Sequence, residues 1–124
     1  MCTHIDKSYL RSNPNEIFVF GDNDLRCGYG GAASLRDEPN TYGFITKKAP
    51  NNNTESFYGI LEYEPVYNAE ISRLLCHIVN NREKLYLISK VGAGLANKHG
   101  IFEHIIQRTM KENLAGHDNV KFLW

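Results

Sequence analysis

Ile17-Phe18-Val19-Phe20-Gly21-Asp22-Asn23-Asp24-Leu25-Arg26-Cys27-Gly28-Tyr29-Gly30-Gly31-Ala32-Ala33 is the stretch on which the fold turns. Four apolar residues in a row, stopped by a glycine, read as a short strand buried on both faces, as in a parallel or mixed sheet. The glycines and polar residues that follow form a loop, and the small residues from Gly30 or Gly31 to Arg36 open a helix that Pro39 ends. Leu85-Tyr86-Leu87-Ile88-Ser89 repeats the arrangement. It is a strand that runs into Gly92-Ala93-Gly94-Leu95-Ala96, with an amphipathic segment behind it.

Outward from these two points the chain alternates. Tyr42 to Thr46 and Val120 to Trp124 are further strand candidates. Helical spacing of Ile71, Leu74, Leu75 and Ile78 predicts a helix from about Asn68 to Asn80. Ile101, Phe102, Ile105, Ile106 and Met110 predict another from about Gly100 to Leu114, stopped by Gly116. Pro50-Asn51-Asn52-Asn53-Thr54 is a polar loop that joins elements. The order strand, helix, strand, helix, strand, helix, strand predicts one α/β domain over residues 1–124, with three layers and helices on both faces of a mixed, largely parallel sheet. Ligands of such sheets bind beyond the carboxyl ends of the strands, where both glycine-rich loops fall.

Composition narrows the function. The chain has 124 residues, 42% apolar and 23% charged, and its 14 Lys and Arg balance 14 Asp and Glu. A net charge of zero argues against strong electrostatic binding of nucleic acid and against a polybasic membrane anchor. No apolar run approaches the roughly 18 residues of a membrane span, and the first ten residues lack the apolar core of a signal peptide. A cytoplasmic protein is expected. Cys2, Cys27 and Cys76 are too few and too irregularly spaced for a disulfide framework. Cys2 and His4 have no second Cys/His pair to complete a metal site, so no metal or cofactor is expected.

Six of the ten glycines, Gly21, Gly28, Gly30, Gly31, Gly92 and Gly94, sit in the two loops. A glycine-rich turn after a strand exposes main-chain amides, and a helix N-terminus behind it adds partial positive charge. Both suit a phosphate or diphosphate. The P-loop pattern is absent, the third Rossmann glycine is out of register, and neither Ser34 nor Ser89 sits in a nucleophile elbow. Cys27 is either a thiol near a helix start or a small loop residue.

With these residues the chain resembles a macrodomain, the ADP-ribose-binding α/β module. It is most similar to the small single-domain branch that includes terminal ADP-ribose protein glycohydrolase, and to short macrodomain-like proteins carried by bacteriophages. The likeness rests on Phe18 to Asn23 with the loop Leu25 to Ala33, on Ile45-Thr46-Lys47-Lys48, and on Gly92-Ala93-Gly94-Leu95, and it extends from about Ile17 to Trp124.

The resemblance implies a ligand, ADP-ribose or a related nucleotide, free or on a modified macromolecule. Gly21, Gly28, Tyr29, Gly30, Gly31 and Ala32 would form one wall, and Gly92, Ala93, Gly94 and Leu95 the other. Asn23 either holds a ribose hydroxyl or forms an Asx-turn, and Asp22 faces adenine or caps the turn. Tyr29 stacks on base or ribose, or narrows the cleft. Lys47 and Lys48 assist an anion or are solvated.

The hydrolytic branch places an Asp where this chain has Ala96, which can carry no proton. Its catalytic Lys, expected on the first helix, has no match; Arg36 lies nearby. A hydrolase would therefore draw on Asn23, Asp24 and Asp37. The resemblance leaves three readings: an ADP-ribose-binding module, an ADP-ribosyl hydrolase, or an interaction module with a degenerate cleft.

Overall fold

The structure is a computed structural model, and it describes residues 5–124. Cys2 and His4 lie outside the described residues, and no group of three metal-ligating side chains occurs among those described. The chain is α/β. Four strands, β1 (Glu16–Asn23), β2 (Thr41–Lys47), β3 (Leu85–Ile88) and β4 (Val120–Phe122), form one sheet in the order β2-β1-β3-β4. Every pairing is parallel, where a mixed sheet was expected.

Alternation along the buried strands divides the core. Val19, Tyr42, Phe44, Tyr86 and Ile88 face one side and pack against α2 (Ile60–Asn80), a π-helical turn at Phe102–Ile106, and α3 (Gln107–Asn113). Phe18, Phe20 and Leu87 face the other side, against Leu10 of α1 (Lys7–Ser12) and Ala33 and Leu35 of a short 3-10 turn, Gly31–Leu35. The chain steps from β1 to β2 across one face. It then reverses and crosses the other face to β3 and on to β4. A change of direction coupled to a change of face is what crossovers of a single hand require.

Several elements differ from the expectation. The helix expected from Gly30 or Gly31 to Arg36 is the 3-10 turn, in which Ala33 N–H bonds the Gly30 carbonyl and Arg36 N–H the Ala33 carbonyl. Between its glycines and Pro39 there is no room for an α-helix of useful length. Helix α2 starts eight residues before the expected Asn68 and carries Pro65 inside. Buried Tyr63 and Tyr67 extend the Ile71–Leu74–Ile78 stripe backwards, and the Glu62 carboxylate accepts the Gly59 N–H (3.1 Å) to cap the start. The last helix is interrupted by the π turn, which buries Phe102, Ile105 and Ile106 together. Helix α1 was not expected. Asp6 caps it by accepting the Tyr9 N–H (2.8 Å), and only Leu10 is buried, too little for an amphipathic signal.

β2 is an edge strand, and its outer edge is closed by side chains. The Gly43 carbonyl accepts from Arg73 Nη2 (2.7 Å) and Arg26 Nη1 (2.9 Å). The Ile45 N–H donates to Glu70 Oε1 (2.7 Å), and the Ile45 carbonyl accepts from the Tyr63 hydroxyl (2.5 Å). Groups that would otherwise template another strand are thereby used. No helix among the described residues is long and apolar enough to cross a membrane. Because Glu70 is buried and serves both the Ile45 N–H and Arg73, we expect Glu70→Ala to lower unfolding stability by about 2 kcal/mol. Urea denaturation measures it, and an unchanged midpoint would contradict the edge-sealing role.

Candidate functional site

The sheet reverses its winding direction between β1 and β3, which makes the crevice beyond their carboxyl ends the natural place for a ligand. A cleft of ≈ 530 Å³ opens there. The end of β1 supplies Gly21, Asp22 and Asn23. The loop behind it (loop 1) supplies residues 27–33, and the end of β2 supplies Thr46 and Lys47. Ser89 to Gly92, with Gly94, Leu95 and Ala96, come from the loop after β3 (loop 2). Residues 28–31 and Gly92, Gly94 and Leu95, far apart in sequence, thus meet across one cleft.

Close contact explains part of the glycine pattern. Gly92 has φ +79°, and a Cβ there would lie 2.6 Å from Ile106 Cδ1. Gly28 has φ +94°, with Pro50 pressed against it. Around Gly30 and Gly94, by contrast, a Cβ would meet nothing within 4 Å. The N–H groups of Gly30, Gly92 and Gly94 donate to no protein acceptor among the described residues. No long helix begins at either loop, so little macrodipole is added. The 3-10 turn after loop 1 has five residues, and the one at Leu95–Asn97 has three.

Loop 1 is tied down from behind. Arg36 Nη2 and Nη1 reach Asp22 Oδ1 (2.6 Å) and Oδ2 (3.1 Å), its Nε donates to the Gly28 carbonyl (2.9 Å), and Nη2 also reaches the Cys27 carbonyl (3.1 Å). Its guanidinium lies over the Phe20 ring, and the hydrogen bonds to Asp22 hold its pKa above the usual arginine value. Arg26, at φ +55°, adds a bond to Asp22 Oδ2 (3.4 Å). Asn23 makes an Asx-turn: its Oδ1 accepts the Leu25 N–H (3.1 Å) while its Nδ2 donates to the Cys27 carbonyl (2.7 Å). With carbonyls 27 and 28 drawn toward Arg36, loop 1 is held in one shape.

The residues singled out in the sequence divide as follows. Gly21, Asp22, Asn23, Gly28, Tyr29, Gly30, Gly31, Ala32, Gly92, Gly94 and Leu95 line the cleft. Ala93 does not; it packs against the core, its N–H bonded to the Lys90 carbonyl. Asp24 is exposed outside the cleft, and Asp37 instead accepts the Tyr29 hydroxyl (3.1 and 3.2 Å), which raises the Tyr29 pKa. Arg36 serves Asp22 and the loop carbonyls, not an incoming phosphate.

Lys48 pairs with Glu62 (2.6 Å). Lys47 lines the cleft, where its Nζ donates to the Asn51 carbonyl (2.8 Å) and lies over the Phe57 ring, and burial holds its pKa below the ordinary lysine value. Cys27 is an exposed thiol on the wall. Sequence reasoning missed Thr46, Ser89 and Lys90 as wall residues, and it took Pro50 and Asn52 for a mere connection. Lys90 and Val91, between β3 and Gly92, were the available signal that the second wall begins before its first glycine.

Asp22 is the cleft's one carboxylate and is ion-paired with two arginines, whereas Lys47 and Lys90 have no ion pair among the described residues. The local balance therefore favours an anion although the whole chain is neutral. Residues 1–99 match the model of a family described as Family of unknown function (DUF7831). The chain belongs to this family. The DUF7831 match runs past Ala96 and so contains every residue that lines the cleft. No curated protein and no solved structure matches the chain.

The two kinds of glycine should separate on substitution. Gly92→Ala is expected to lower stability by about 2 kcal/mol, through overpacking against Ile106 and a disfavoured φ, while Gly30→Ala leaves the melting temperature within a degree or two. Thermal denaturation of both variants decides it, and equal effects would contradict the assignment.

Proposed function

We propose that this chain is a macrodomain-like module that binds ADP-ribose or a related nucleoside diphosphate derivative in the cleft between β1 and β3. The observation that carries the reading is the meeting of Gly28–Gly31 with Gly92, Gly94 and Leu95 in one cleft at the point where the sheet reverses. Main-chain amides on two sides suit the oxygens of a diphosphate, and Lys47 and Lys90 supply charge without a global excess of basic residues. A volume of ≈ 530 Å³ is in the range of small-molecule sites.

Binding is favoured over hydrolysis on the acids. Asp24 and Asp37 stand outside the cleft, Asp22 is held by arginines, and Ala96 lies on the wall.

Thermal shift with ADP-ribose tests the binding. Ligand at 100 times its dissociation constant adds about 2.7 kcal/mol, which raises the melting temperature by several degrees. Gly94→Glu, which places a carboxylate in open space at the wall, should keep the fold and abolish the shift. No shift with ADP-ribose, ADP or pyrophosphate would overturn the reading in favour of an interaction module. Turnover of an ADP-ribosylated protein by the intact chain would establish the hydrolase instead.

A further inference from the structure

We propose that Trp124 is a positioning residue for the ligand: its indole N–H braces loop 2 from behind and holds the second wall of the cleft in the shape that binds. This rests on the binding reading above and adds what fixes the wall that reading uses.

Loop 2 has no arginine to do for it what Arg36 does for loop 1. Its main-chain bonds run within itself. The Val91 N–H closes a three-residue turn on the Ser89 carbonyl (2.7 Å), the Ala93 N–H reaches the Lys90 carbonyl (3.3 Å), and the Asn97 N–H reaches the Gly94 carbonyl (3.1 Å). Such turns shape a loop without fixing where it stands against the sheet. Bonds from outside do that, and they converge on Ser89. Its N–H (3.1 Å) and hydroxyl (2.6 Å) donate to the Val19 carbonyl of β1, and its carbonyl accepts Trp124 Nε1 (3.1 Å). A carbonyl has two lone pairs, so Val91 and Trp124 share it without conflict. Among the described residues no other hydrogen bond ties residues 89–95 to another element.

The indole is itself held in place. The Leu123 N–H donates to the Ile88 carbonyl (2.9 Å), which carries the β3–β4 pairing one residue further. Lys111 Nζ donates to the Trp124 carbonyl (2.6 Å) and lies over the ring, and Phe122 and Phe102 meet the ring edge-on, each with centroids 5.4 Å away. Phe102 in turn has the Lys90 ammonium over its face (5.2 Å). Lys90 is the central residue of the turn closed on Ser89. Trp124 therefore meets that turn twice, at the main chain directly and at the Lys90 side chain through Phe102. Trp124 also stands beyond residues 1–99, so the cleft lies inside the segment that matches the family's model and its brace lies outside.

Trp124 is the sole tryptophan. Expression in a tryptophan auxotroph supplied with β-(3-benzothienyl)alanine therefore replaces it alone, by an isostere with sulfur in place of the N–H. Its shape is kept, and the melting temperature is expected to stay within about three degrees of the unsubstituted chain. In the free protein, NMR-detected amide exchange is expected to rise about tenfold at Val91 and Ala93 and to stay unchanged at Leu25 of loop 1. Isothermal titration with ADP-ribose is expected to give a dissociation constant raised about fivefold, because the wall is no longer preorganised. Unchanged exchange at Val91 and Ala93 would overturn the brace. Faster exchange there with unchanged affinity would overturn the positioning role, and so would faster exchange throughout the sheet. If the unsubstituted chain binds no ADP-ribose, the binding reading falls and takes the role toward ligand with it, while exchange in the free protein still decides whether Trp124 holds loop 2.

Discussion

The pairing of Asp22 with Arg36 is the constraint on which the rest of the site depends. Asp22 sits at the carboxyl end of a central strand, buried, and its charge needs partners. Arg36, fourteen residues later, supplies the main one, in a two-pronged arrangement that the planar guanidinium favours. The same guanidinium holds the carbonyls of Cys27 and Gly28, so the charge that compensates Asp22 also shapes the glycine-rich loop. Gly43 belongs to this arrangement as well. A Cβ there would run into the Asp22 carboxylate, and its carbonyl receives Arg26 and Arg73. Strand end, loop and sheet edge are thereby held by one set of charges.

This arrangement also sets the charge of the cleft in a chain that is neutral overall. The only carboxylate on the wall among the described residues is neutralised from behind, while Lys47, whose ammonium bonds the Asn51 carbonyl, and Lys90, whose ammonium lies over the Phe102 ring, stand on the same wall without a carboxylate partner. Position in the sheet does the remainder. Reversal of the winding between β1 and β3 splays the connections apart and leaves a crevice that neither loop could make alone.

Much of this was legible in the sequence, and what was not has physical reasons. Four continuous or alternating apolar runs marked all four strands, because strand burial writes directly into residue type. Gly28–Gly31 and Gly92–Leu95 stood out because loops that need positive φ or close approach must use glycine. That they meet depends on β1 and β3 lying side by side and parallel, which the folded sheet shows. The helix after loop 1 was misjudged because Gly31 to Leu35 have helix-compatible residues but too little length, and length is what separates a 3-10 turn from an α-helix. The start of α2 was hidden by Pro65, whose local preference is overridden by burial of Tyr63 and Tyr67. Asp22 and Asn23 were legible as important but not in their roles, since those depend on Arg26, Arg36 and the Cys27 carbonyl, which only the folded chain brings together.

The central claim is that two main-chain walls grip one ligand together, and amide NMR during titration with ADP-ribose tests it most directly. The account predicts that the N–H resonances of Gly30, Gly92 and Gly94 move together, with a common midpoint. Shifts confined to one loop, or gathered elsewhere on the sheet, would contradict it.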